Sequence, residues 1–97
     1  MKIDFETEVK ALITELKPAD SYLDCENVII AHIKKHIRKG TAIPEIESYL
    51  NKLVIYFEDK MVNNKDNAGY VNNRYVLGFL HTITTTPYWY SWIKKDS

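Results

Sequence analysis

Little in this chain cross-links it, bends it or gives it a net charge. Of 97 residues, one is cysteine, three are glycine and three are proline, and 13 basic side chains balance 13 acidic ones. Each shortage excludes something. A lone Cys25 forms no internal disulfide, which makes a reducing cytosol the expected compartment. Gly40, Gly69 and Gly78 are not spaced as a phosphate-cradling loop, so nucleotide chemistry built on such a loop is excluded. Zero formal charge argues against wholesale phosphate binding. No apolar run approaches the roughly 20 residues that cross a bilayer. The opening "MKIDFETEVK" has acids where a signal peptide has its apolar stretch, so neither membrane insertion nor export is expected.

What is present is ordinary globular material, 45% apolar and 27% charged, enough for one modest core. The charges fall in blocks: −4 over residues 1 to 27, +4 over 28 to 40, −3 over 41 to 59 and +3 thereafter. Acids favour helix starts and bases favour helix ends, and the blocks follow that rule.

Apolar spacing predicts four helices. Phe5, Val9, Leu12, Ile13 and Leu16 line one face of the first, with Asp4 as N-cap and Lys17-Pro18 as its end. The second starts at Asp20 or Ser21, buries Tyr22, Ile29, Ile33 and Ile37, and stops at Gly40 after a basic last turn. The third opens at Pro44 and carries Ile46, Leu50, Leu53, Val54, Phe57 and Met61. Residues 63–69, "NNKDNAG", read as a loop. From about Tyr70 to Ile83, Val76, Phe79, Leu80 and Ile83 fit a fourth helix, although "YVNNRYV" also fits a hairpin and "HTITTT" is β-branched. Three amphipathic helices need a fourth apolar face. The expected fold is therefore all-α, an antiparallel four-helix bundle over residues 1–86 followed by an aromatic segment, 87–97. The alternative is α+β with a small C-terminal β-hairpin.

Chemistry-bearing constellations are few. His32 and His36 stand i, i+4, and Cys25 precedes His32 by seven residues, so the three share a helical stripe with metal-ligand spacing. Lys34, Lys35, Arg38 and Lys39 are interleaved with the pair and repel a cation, and no fourth ligand is evident. The plain reading is two boundary histidines and a buried thiol, and no metal is assigned. Glu58 and Asp59 adjoin in sequence, which turns them to different parts of a helix surface. Cys25 lies mid-pattern in a helix, without the activating surroundings a nucleophile needs. The expectation is a non-enzyme with no catalytic residue and no cofactor. "KKHIRKGTAIPEIESYLNKL" has the order of a helix-turn-helix, but its second helix would bring Glu45 and Glu47 toward phosphate. A small DNA-binding regulator is thus the lesser alternative, beside a structural homo-oligomer subunit.

"PYWYSWIKK", residues 87–95, places both tryptophans and two tyrosines within five positions. Trp89, Trp92 and Ile93 fit one turn of helix capping the bundle, with tyrosine hydroxyls near water. Held partly exposed instead, Tyr88, Trp89, Tyr90 and Trp92 with Lys94 at the rim make a partner-binding set, because Tyr and Trp dominate binding hot spots. On that reading a chain cut after Thr86 keeps its fold. In length, helical pattern and the third-helix stretch "IESYLNKLVIYF" (46–57), the chain resembles the pediocin-like bacteriocin immunity family, and "TTPYWYSWI" sits where that family carries its specificity segment. The resemblance implies a cytosolic four-helix bundle that neutralises a toxin by binding a protein partner, the toxin or its receptor. Immunity proteins that plug nuclease toxins are a second analogy. They offer acidic surfaces, for which the 1–27 and 41–59 blocks would serve. A homodimer is left open.

Overall fold

The computed structural model describes residues 3–63 and 70–95, with the side chains of residues 63, 70–72, 92, 94 and 95 outside the description. The loop expected at 63–69 begins inside the last turn of α3, and its residues 64–69 lie outside the description. Five helices follow one another: α1 (Phe5–Leu16), α2 (Tyr22–Arg38), α3 (Ile43–Asn63), α4 (Tyr70–Thr84) and α5 (Trp89–Lys95). Among the described residues there is no strand, so the protein is all-α.

Local chemistry sets the helix ends. Ser21 is the N-cap of α2, its side chain accepting from the Asp24 amide at 3.1 Å. Asp4 occupies the N-cap of α1 but makes no side-chain capping bond to the backbone. Its carboxylate instead accepts from the Thr7 hydroxyl at 2.8 Å. Gly40, at φ 84°, supplies the left-handed residue that ends α2, and the Thr41 amide reaches back to the His36 carbonyl.

The hairpin alternative for the fourth segment is overturned. Residues 70–84 are one helix, and the hydroxyls of the β-branched tract bond back to its preceding turn. Thr82, Thr84, Thr85 and Thr86 donate to the carbonyls of Gly78, Leu80, His81 and Thr82, each four residues back. The β-branched side chains that argue for a strand are thereby turned to helical use.

The core runs the length of these helices. Leu12 from α1, Ile29 and Ile33 from α2, Leu50, Leu53 and Phe57 from α3 and Val76, Phe79, Leu80 and Ile83 from α4 are all buried. Each such Leu, Ile, Val or Phe contributes about 1.5–3 kcal/mol relative to exposure. α3 packs chiefly on α4, α4 also on α2, and α1 on α2. One expected core position moves out: Tyr22 is 41% exposed, its ring packed edge-on against Tyr75 and beside the bare backbone of Gly78. One unexpected position moves in. Tyr49, three residues after Ile46 on the apolar face of α3, is buried.

Candidate functional site

Two places concentrate polar or aromatic groups beyond what packing requires. The first is the aromatic segment after Pro87. Tyr88 is 72% exposed and holds φ 57°, a left-handed backbone that a bulky side chain rarely adopts. The next residue turns the other way: Trp89 is buried, as is Ile93 one turn on, and α5 rests partly on α2. Tyr90 is half-buried, with its ring edge-on to those of both Tyr88 and Trp89.

Trp89 and Ile93 are thus committed to the core. Their burial weighs against the expectation that the chain keeps its fold when cut after Thr86. It also leaves Tyr88 and Tyr90 as the described aromatics that face solvent. The side chains of Trp92 and Lys94, the other two residues of the expected set, lie outside the described ones.

Beside this segment an open cavity is lined by Glu47, Leu50, Asn51, Thr84 and Trp89. The indole Nε1 of Trp89 donates to Glu47 Oε2 across a long 3.4 Å, which turns the carboxylate toward the cavity wall. Glu47 has no place in the sequence-derived set. It stands just past the first turn of α3, whose first-turn acid is Glu45.

The second place is a buried cluster between α1, α2 and α3. His32 and His36, one turn apart on α2, turn inward, while Lys35, Arg38 and Lys39 of the same helix are exposed. The two imidazole rings meet edge-on with centroids 5.2 Å apart, and both lie 5.7 Å from the ring of Tyr49. His32 Nε2 is 2.7 Å from the Tyr49 hydroxyl, and its Nδ1 is 3.6 Å from Glu15 Oε1. His36 Nε2 approaches Glu8 Oε1 to 2.8 Å. That contact is close but lies off the line of a hydrogen bond: Glu8 Oε1, His36 Nε2 and His32 Nδ1 are all buried without a hydrogen-bond partner among the described residues.

Burial dominates the electrostatics here. It lowers the pKa of His32, helped by the neighbouring His36, and outweighs the pull of Glu15 and Glu8 in the other direction. Burial lowers His36 as well, against the pull of Glu8 and with help from Lys39 and Lys35. Tyr49 is pushed well above its ordinary value, by burial first and then by Glu8 and Glu15, so its hydroxyl stays protonated. Glu8 therefore presents a mostly buried carboxylate to neutral imidazoles.

Of the expected stripe, His32 and His36 do come together, but Cys25 is not in the group of neighbouring donor atoms, which is Glu8, His32 and His36. Cys25 is buried, and desolvation followed by Asp24 and Asp20 raises its thiol pKa. Sequence reading missed Glu8, Glu15 and Tyr49. The available signal was the spacing of Glu8, Leu12 and Glu15 at i, i+4 and i+7, two acids bracketing an apolar residue on one side of α1.

Among the described residues no helix is long and apolar enough to cross a membrane. Comparisons with protein-family profiles, curated proteins and solved structures return no match for this chain.

Proposed function

We propose that this protein is a non-catalytic protein-binding module of the immunity or inhibitor type, neutralising a cytosolic toxin by occupying its surface. In this reading α1–α4 form an antiparallel bundle whose end is closed by α5, and the binding face is the α5 end. One observation carries the proposal: Tyr88 is a large, exposed aromatic held in a left-handed conformation directly beside a buried tryptophan. Strain of that kind persists only where its surroundings enforce it. Here Trp89 and Ile93 anchor one side, and on the other Thr84 at the end of α4 and Thr85 and Thr86 just past it bond back to the preceding turn. A ring presented this way loses little freedom on binding, which favours affinity.

The adjoining cavity indicates the partner's chemistry. Glu47, Asn51 and Thr84 offer acceptors around an indole wall, a setting for a lysine or arginine side chain. The partner is accordingly a protein with a basic side chain next to an apolar patch, as on the nucleic-acid-binding face of a nuclease toxin.

The test is affinity capture from source cells with the wild type and with two point variants, Tyr88→Ala and Glu47→Lys. A single protein retained by the wild type, lost with both variants and bound again when purified supports the reading. Retention that ignores both substitutions overturns it. So does tight, salt-steep binding of duplex DNA that disappears when Lys35, Arg38 and Lys39 are replaced, since that is the signature of phosphate neutralisation.

A further inference from the structure

The buried cluster has no part in that binding face, and its chemistry asks for something the protein chain does not supply. We infer that Glu8, His32 and His36 form a site for a zinc-class divalent cation that fastens α1 to α2, with Glu15 as fourth ligand.

The first ground is the set of orphaned atoms. Glu8 Oε1, His32 Nδ1 and His36 Nε2 are buried with no hydrogen-bond partner among the described residues. Buried polar atoms are nearly always paired, and leaving one unpaired is costly. Two of the three, Glu8 Oε1 and His36 Nε2, stand 2.8 Å apart, and His32 Nδ1 is 3.6 Å from Glu15 Oε1, so each has an ion-pair neighbour but none has a hydrogen bond. One donor atom from each of these three residues lies within 4.8 Å of the others.

The second ground is charge. The Glu8 side chain is 16% exposed and its carboxylate oxygen stands 2.8 Å from His36 Nε2. A divalent cation placed among these groups meets one acid and two imidazole nitrogens at once. Glu15, 44% exposed and 3.6 Å from His32 Nδ1, brings a second carboxylate to the edge of the cluster, outside the group of three neighbouring donors. Two carboxylates and a dication sum to zero, the balance that a partly buried site favours.

The third ground is tautomer control. A ligating imidazole normally donates its other ring N–H to a neighbour, which fixes its lone pair on the metal-facing nitrogen. One of the two tautomers of His32 has that arrangement, with Nε2 2.7 Å from the Tyr49 hydroxyl and Nδ1 3.6 Å from Glu15 Oε1. With Nε2–H donating to the Tyr49 oxygen, the Nδ1 lone pair is free.

Geometry and donor type narrow the ion. Two imidazole nitrogens and one or two carboxylate oxygens suit zinc and its borderline neighbours, whereas calcium and magnesium prefer oxygen alone. Tetrahedral donors about 2.1 Å from zinc stand about 3.4 Å apart. Separations of up to 4.8 Å must therefore close by about 1.4 Å, and the Glu8–His36 contact of 2.8 Å must open by about 0.6 Å. Of the four bases interleaved with the histidines, Lys35, Arg38 and Lys39 are exposed and Lys34 is half-buried, and the cation is reached through the carboxylates of α1.

The experiment uses the full chain, stripped with chelator and titrated with Co²⁺ and then with Zn²⁺. Expected are one ion per chain, intense visible absorption from four-coordinate Co²⁺ that Zn²⁺ bleaches, and a rise in Tm with either ion. Glu8→Gln and His36→Gln should each weaken Zn²⁺ binding about tenfold or more, with unchanged far-ultraviolet circular dichroism, while Tyr88→Ala binds as the wild type does. Absence of stoichiometric binding by the wild type overturns the site, as does wild-type affinity in both ligand variants. If those variants fail to fold, the Co²⁺ spectrum of the wild type decides: weak octahedral bands place the ion elsewhere and sink the proposal. Failure here leaves the binding-face reading standing, because the two share no residue.

Discussion

The hydroxyl of Tyr49 and Nε2 of His32 stand 2.7 Å apart, both residues buried, joining the middle of α2 to the first half of α3. This pair ties together two helices that otherwise share few close approaches, and it places a polar bond inside an apolar seam. Tyr49→Phe keeps the ring and its packing but strands a buried ring nitrogen. The substitution should cost about 1–3 kcal/mol, read as a fall in the urea midpoint with an unchanged slope.

The two neighbours Tyr88 and Trp89 should respond in opposite ways. Trp89→Ala empties a buried site and is expected to cost about 3–5 kcal/mol. Tyr88→Gly removes an exposed ring from a left-handed position that glycine tolerates, so stability should change by less than about 0.5 kcal/mol. Thermal melts of the two variants give the comparison directly. Similar losses in both would mean that Tyr88 also belongs to the core.

Glycines test the backbone in the same spirit. At Gly78, an added Cβ would meet only Tyr22 Cε2 at 3.9 Å, an ordinary contact, on a helical backbone. Gly78→Ala should therefore stabilise by about 0.5–1 kcal/mol through the reduced freedom of the unfolded chain. Gly40→Ala has open space but a φ of 84°, and should cost about 1–2 kcal/mol.

Cys25 provides a pH test. Burial, Asp24 and Asp20 raise its pKa above the ordinary 9.0, so the unfolded chain releases the thiol proton first as the medium becomes alkaline. Above that pH the unfolded state binds fewer protons than the folded one, and stability falls until the folded thiol also ionises. Below it, the thiol contributes no slope. Urea titrations between neutral and alkaline pH should show this loss, reduced in Cys25→Ala. At neutral pH, thiol reagents should label the native protein no faster than it opens.

Periodicity made most of the fold legible. Val76, Phe79, Leu80 and Ile83 are buried as their spacing indicates, because a helix with one apolar stripe has a single face to bury. The segment that resisted reading was the threonine tract, where β-branching argues for a strand. There the buried stripe of Val76, Phe79, Leu80 and Ile83 outweighs the β-branching, and the hydroxyls find acceptors on the preceding turn. The histidine cluster was half legible. The i, i+4 spacing put His32 and His36 together, but the third member of the set comes from another helix. Spacing along one chain segment cannot reveal which face of α1 meets α2. Cys25 shares the stripe in projection only, since seven residues along a helix is nearly two turns of rise.

The paired acids of α1 also settle a question that its apolar residues leave ambiguous. Phe5, Val9, Leu12 and Leu16 repeat nearly every turn, so grease alone would let α1 seat itself one turn too high or too low against α2. Such a slip would set Asp4 or Leu12 where Glu8 belongs, and would bring a small side chain, Ala11 or Ala19, to the position of Glu15. The histidines would then face hydrocarbon or a misplaced charge. Two acids seven apart, read by two imidazoles four apart, act as a key with one correct depth.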